Sequence, residues 1–130
     1  MRLLYLSLFT LLHLFNAPAA DPIDKIAELI GKGNVPEIAK LFAPNLELTM
    51  LDDPNTYTKA QARAVLEKFF AQNKPNSSKI LHKINSSSSY NFCVVIINTD
   101  KGTYRAAFTL KDAGGTMQLI ELSIESEKVK

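Results

Sequence analysis

The chain is predicted to fold as one α+β domain, helices first and an antiparallel sheet after them. Three observations predict it. Up to Pro75 apolar residues recur mainly at helical spacing, whereas beyond Pro75 they alternate with polar residues at the period of a strand. The connections between the later segments are too short to join anything but antiparallel neighbours. At 130 residues, 46% hydrophobic and 22% charged, the chain suits a single globule, and collagen-like, coiled-coil or wholly disordered architectures are excluded.

Met1 to Ala20 reads as a leader that is not part of the fold. Arg2 gives it a positive start, Leu3 to Phe15 is mostly apolar, and Ala17-Pro18-Ala19-Ala20 supplies small residues in an A-x-A cleavage pattern. The apolar run is about 13 residues, short of the roughly 20 needed to span a bilayer, so no membrane span is expected. Export to the periplasm or outside the cell is expected, with cleavage near Ala19 or Ala20. Residues 21–125 then form the domain and 126–130 a polar tail. Losing Arg2 takes the 15 basic residues to one more than the 13 acidic ones, so the remaining protein is nearly neutral. That balance, with no Trp and scattered Lys74, Lys79 and Lys83, argues against nucleic-acid binding.

Within the domain, Asp21-Pro22 caps and opens a first helix carrying Ile23, Ile26, Ala27 and Ile30, stopped by Gly31 and Gly33. Asn34 caps a second, with Ile38, Ala39 and Phe42 on one side, that ends at Pro44. Leu46 to Met50 alternates as a strand, and Asp52-Asp53-Pro54-Asn55 is a turn cluster. A third helix opens with a Thr58–Gln61 capping box and buries Ala62, Val65, Leu66, Phe69 and Phe70 before Asn73-Lys74-Pro75. Four extended segments follow at 80–84, 90–98, 103–111 and 116–125, divided by Asn85–Ser89, Asp100-Lys101-Gly102 and Asp112–Gly115.

This order of helix, helix, strand, helix and four strands resembles the nuclear-transport-factor-two-like (NTF2-like) superfamily, the cystatin-like α+β cone. Segments such as Asp24 to Ile30 and Val35 to Phe42 resemble most a group of small exported bacterial proteins in that superfamily. The resemblance implies a curved antiparallel sheet wrapped around the long helix. It also implies dimerisation through the outer sheet face as a common arrangement, and enzymatic members with an Asp base deep in the cone. The superfamily also holds ligand binders and interaction modules, so the fold leaves function open.

Taking the more apolar parity of each strand as inward gives the cone an interior of Leu46, Leu48 and Met50, then Ile80, His82 and Ile84. Tyr104, Ala106, Phe108 and Leu110 follow on the next strand assigned, and Ile120, Leu122 and Ile124 on the last, which sends Glu121 and Glu125 outward. No carboxylate lies inside. Met50, Tyr57, Phe69, His82, Tyr104 and Phe108 are therefore the candidate lining for a small apolar ligand. His82, with Tyr104 or Glu121 assisting, is the weak catalytic candidate for an isomerase- or hydrolase-like alternative, since proton transfer needs both a titrating group and one that stabilises developing charge.

The segment 90–98 is apolar on both parities and needs two partners. Phe92, Val94 and Ile96 are expected against the long helix, leaving Cys93, Val95 and Ile97, beside Ala107, for a homodimer or other protein contact. Cys93 is the only cysteine, which precludes an intramolecular disulfide, and with His82 the sole histidine past the leader no Cys/His metal site can be assembled. No cofactor motif is present. Asn76-Ser77-Ser78 and Asn85-Ser86-Ser87 match the glycosylation pattern, though short Ser-rich turns account for them equally. A cystatin-like inhibitor is disfavoured by the missing Q-x-V-x-G wedge. The expected function is a noncatalytic exported binding or interaction module.

Overall fold

The computed structural model describes residues 22–85 and 89–127. The leader with its cleavage site, the Asp21 cap, residues 86–88 of the Ser-rich turn and the last three residues of the tail lie outside that range. In chain order the elements are α1 (Pro22–Lys32), α2 (Val35–Ala39), β1 (Phe42–Met50), β2 (Asp53–Thr58), α3 (Lys59–Gln72), β3 (Pro75–Asn85), β4 (Tyr90–Thr99), β5 (Gly102–Ala113) and β6 (Thr116–Ser126). The strands form one curved sheet in the order β2-β1-β6-β5-β4-β3. All helices pack on one face of it, where α1 Ile23, Ile26 and Ile30, and α3 Leu66 and Phe69, share one core with Leu46, Phe108 and Leu122.

Local chemistry explains the helix ends. Gly33 adopts φ +66°, its N–H donates to the Ile30 carbonyl and the Asn34 N–H donates to the Leu29 carbonyl, both at 3.0 Å, which is a Schellman closure. Gly31 does not stop α1 as expected. It is helical and buried, because α1 lies so close to β3 that a Cβ there would run into the Ser78 side chain. At α3 the reciprocal capping box forms as expected, Gln61 N–H donating to Thr58 Oγ1 at 3.3 Å and Thr58 N–H to Gln61 Oε1 at 3.0 Å.

Three expectations about the sheet are corrected. Phe42 begins β1 instead of ending α2, its backbone registering with Leu119, and Pro44 falls where the β1–β6 register shifts. The turn after β1 is the pair Leu51-Asp52, at φ +51° and +71°, so residues 53–58 form the additional strand β2. Pro54 is accommodated because β2 is a sheet edge. Finally, β1 runs parallel to β6, which makes the sheet mixed instead of wholly antiparallel.

Candidate functional site: the helix-free face of the sheet

Register decides which side chains share a face, because residues directly opposite each other in a ladder point the same way. Cys93, Val95 and Ile97 pair with Phe108, Ala106 and Tyr104, all on the helix-covered face, and the three are at most 1% exposed within the core. The expectation that they form an outer contact surface is therefore corrected. With both parities of β4 apolar, nothing in its own sequence sets the orientation; α1 does, by packing Ile23, Ile26, Ala27 and Ile30 on that side.

His82 is likewise not in the cone. Ile80 pairs with Val95 on the helix side as expected, but Leu81 is an extra residue, so His82 pairs with Val94 and Ile84 with Phe92 on the opposite face. One bulge reverses every later side chain of the strand. Lys83, expected outward, instead turns toward α1 and pairs with Asp24 at 2.9 Å. A second bulge makes Ile120 the extra residue of β6, and Leu119 takes its core position. Glu121 and Glu125 point outward as expected, and Glu121 accepts from Thr109 Oγ1 at 3.3 Å.

The three catalytic candidates are thus not brought together. His82 and Glu121 share the outer face three strands apart, roughly 14 Å at the usual strand spacing. Tyr104 is on the inner face, where its hydroxyl donates to Asn73 Oδ1 at 2.8 Å and its ring meets Phe69 edge-on at 5.0 Å. Met50, Tyr57, Phe69 and Phe108 also face inward, but as part of or packed against the continuous core. Surface clefts of about 380, 210, 440 and 410 Å³ lie elsewhere, and none is lined by any of these residues. Among the described residues no three His, Cys, Asp or Glu side chains gather as metal ligands, and no helix is long and apolar enough to cross a membrane.

The outer face has a definite pattern. Its β4 column is Tyr90, Phe92, Val94 and Ile96, with Ala107 opposite Val94 on β5 and Ile84 opposite Phe92 on β3. Tyr90 and Ile84 are 46% and 48% exposed. On one side of this apolar band β3 contributes Lys79 and His82; on the other β6 and β1 contribute Glu121, Glu125 and Glu47. Arg105 and Lys111, on β5 between them, are engaged locally, Arg105 with Glu127 at 2.9 Å and Lys111 over the Tyr90 ring. Beyond Glu125 the β1–β2 tip adds Asp52. The Glu125 carboxyl is held above the usual carboxylate range, first by a side-chain hydrogen bond with Asp52 and further by burial and the Asp52 charge, against the opposing pull of the Asp52 N–H.

A family model described as "Domain of unknown function (DUF4783)" matches residues 23–125. No curated protein matches the chain. A DUF4783 family protein from Bacteroides uniformis ATCC 8492 superposes at TM-score 0.78 with 16% identity, over 84% of this chain and 100% of that chain. One from Bacteroides ovatus ATCC 8483 gives 0.75 with 18% identity over 80% and 94%. An NTF2-like protein from Cytophaga hutchinsonii ATCC 33406 gives 0.59 with 16% identity over 83% and 100%. These likenesses extend to the cone and bear out the resemblance to the NTF2-like, cystatin-like fold. With the family model spanning all nine of its described elements, the chain belongs to the DUF4783 family.

Proposed function

We propose that the protein is an exported, noncatalytic interaction module that docks protein on the helix-free face of its sheet, and that its partner there is a second copy of itself. The observation that carries this reading is an apolar cluster on the face that the described helices leave uncovered: Tyr90 and Ile84, 46% and 48% exposed, beside half-buried Phe92 and Ala107 and over Val94 and Ile96, which are only 9% and 8% exposed. Soluble domains seldom present a contiguous apolar band without a partner for it. A self-complementary band forms a closed two-fold dimer, the commonest oligomer.

Export is supported by the charged start, apolar run and small-residue end of the leader. A noncatalytic role is supported by the separation of His82, Tyr104 and Glu121 and by a cone interior occupied by Leu66, Phe69, Phe108 and Leu122. The test is static light scattering on the chain from Asp21 onward, which carries every described element. A dimer mass across the micromolar range is expected. A monomer throughout that range overturns the reading.

A further inference from the structure

The surface clefts differ in what lines them. The cleft on β1 and β2 is walled by polar groups such as Glu47, Thr49 and Asn55, and the one between α2 and α3 has only the short apolar groups Pro36, Ala39 and Ala60. The cleft between α1 and β3, at about 210 Å³, falls below the roughly 300 Å³ at which small-molecule sites begin. The fourth, about 410 Å³, lies between α1, the α2–β1 junction and the β5–β6 turn, and it has a wall of large apolar side chains: Ile26, Leu29, Leu41 and Met117. Ile26 belongs to the core, and the other three are half-buried, packing on the core from one side and facing the cleft with the other. These walls are held by the fold itself. The Leu119 N–H donates to the Leu41 carbonyl at 2.7 Å, tying β6 to the α2–β1 junction, and the Asn34 N–H closes the end of α1 on the Leu29 carbonyl. A preformed cavity needs little reorganisation to accept a ligand.

The rim of this cleft is cationic. Lys25 on α1 and Lys40 after α2 both line it. Among the described residues no carboxylate pairs with Lys25, and Lys40 meets Glu37 at 3.1 Å in a pair whose side chains are 71% and 47% exposed, which holds the ammonium only weakly. Asp112, opposite Met117 in the β5–β6 ladder, is already engaged by the Gly115 N–H at 2.8 Å. We propose that this cleft binds a small amphiphile with an apolar chain and one anionic head, the chain lying on Leu29, Leu41 and Met117 and the head between Lys25 and Lys40. Each lysine carries a point charge on a flexible stem, so the two can converge on one anionic group. Met117 adds a side chain that reshapes around different tails. A cationic head would meet two like charges. The cleft is on the helix-covered side of the sheet, so the site is separate from the face proposed for self-docking and stands without it.

The test titrates the chain from Asp21 onward with decanoate at neutral pH and, separately, with decyltrimethylammonium, which has the same tail and the opposite charge, while side-chain methyl resonances are followed. Decanoate is expected to shift the Met117, Leu29 and Leu41 methyls saturably and to bind about tenfold more tightly than the cation, the size of preference that two exposed ion contacts supply. The double variant Lys25→Gln with Lys40→Gln changes only exposed positions, should keep the native circular dichroism, and should bring the two probes to equal affinity. Absence of saturable shifts at these methyls, equal affinity of the wild type for both probes, a preference for decanoate that survives the double substitution, or shifts centred on Ile84 and the outer face each overturn the proposal while leaving the self-docking reading intact.

Discussion

The Tyr104 hydroxyl donates to Asn73 Oδ1 at 2.8 Å, tying the middle strands of the sheet to the residue that ends the long helix. Asn73 is 9% exposed and its amide also donates to the Phe69 carbonyl at 2.9 Å, so its polar atoms are satisfied inside an apolar setting. A hydrogen bond here fixes the register of α3 on β5.

Tyr104→Phe leaves Asn73 Oδ1 without that donor and is expected to cost about 1–3 kcal/mol of unfolding free energy, read from urea denaturation. The fold and the dimer mass should survive, since Tyr104 points away from the docking face.

Gly31→Ala separates two opposed effects. Helix propensity alone favours Ala by about 1 kcal/mol. The added Cβ meets Ser78 Cβ at 2.6 Å, however, and overpacking of this kind typically costs about 1–3 kcal/mol. A net loss of stability is expected, and Ser78→Gly in the same chain should recover most of it. Thermal midpoints of the two variants check both statements.

The Asp52–Glu125 pair predicts a pH dependence. Because the folded protein holds the Glu125 proton more tightly than the unfolded chain, the pair favours folding below the unfolded carboxylate pKa of about 4.3 and loses that contribution as pH rises through the higher folded value. Asp52→Asn removes the opposing charge and puts at φ +71° a residue that tolerates that conformation. Its thermal midpoint should exceed that of the wild type at pH 7, with the margin shrinking as the buffer is taken to pH 4 and below.

Neighbouring valines test the orientation of β4. Val95→Lys buries a charge in the core beside Ala27 and Ala106 and should unfold the domain. Val94→Lys puts the charge on the opposite face, where Val94 is only 9% exposed but a lysine stem can carry its charge to solvent, and should leave the domain folded and, under the self-docking proposal, monomeric, as read by circular dichroism and sedimentation.

Much of the architecture is legible in the residues, and the exceptions share a cause. The Thr58–Gln61 cap, the α3 stripe and the last three strands rest on local chemistry and appear within a residue or two of where periodicity places them, whereas β3 begins at Pro75, five residues before the expected 80–84. The β2 strand is hidden because Asp53-Pro54-Asn55 has turn composition, while the turn itself uses Leu51, a residue that rarely accepts positive φ. The β1–β6 parallel pairing joins segments about seventy residues apart and leaves no local trace. His82 and Ile120 are misplaced by bulges, which a period of two cannot register, and β4 offers two equally apolar faces. The outer surface carries the opposite parity of β4 from the one expected, for these reasons together, while Ala107 lies on it as expected and the apolar residues on both parities of 92–97 mark it in the sequence.

The most direct test of the docking face is solvent paramagnetic relaxation of isoleucine methyl groups, measured as the protein is diluted. Ile84, 48% exposed on the outer face, should be shielded in concentrated samples and relax faster on dilution. Ile80, 39% exposed but on the helix side of the same strand, should relax fast throughout, and Ile97 in the core slowly throughout. Relaxation of Ile84 that stays as fast as that of Ile80 at every concentration would contradict the account.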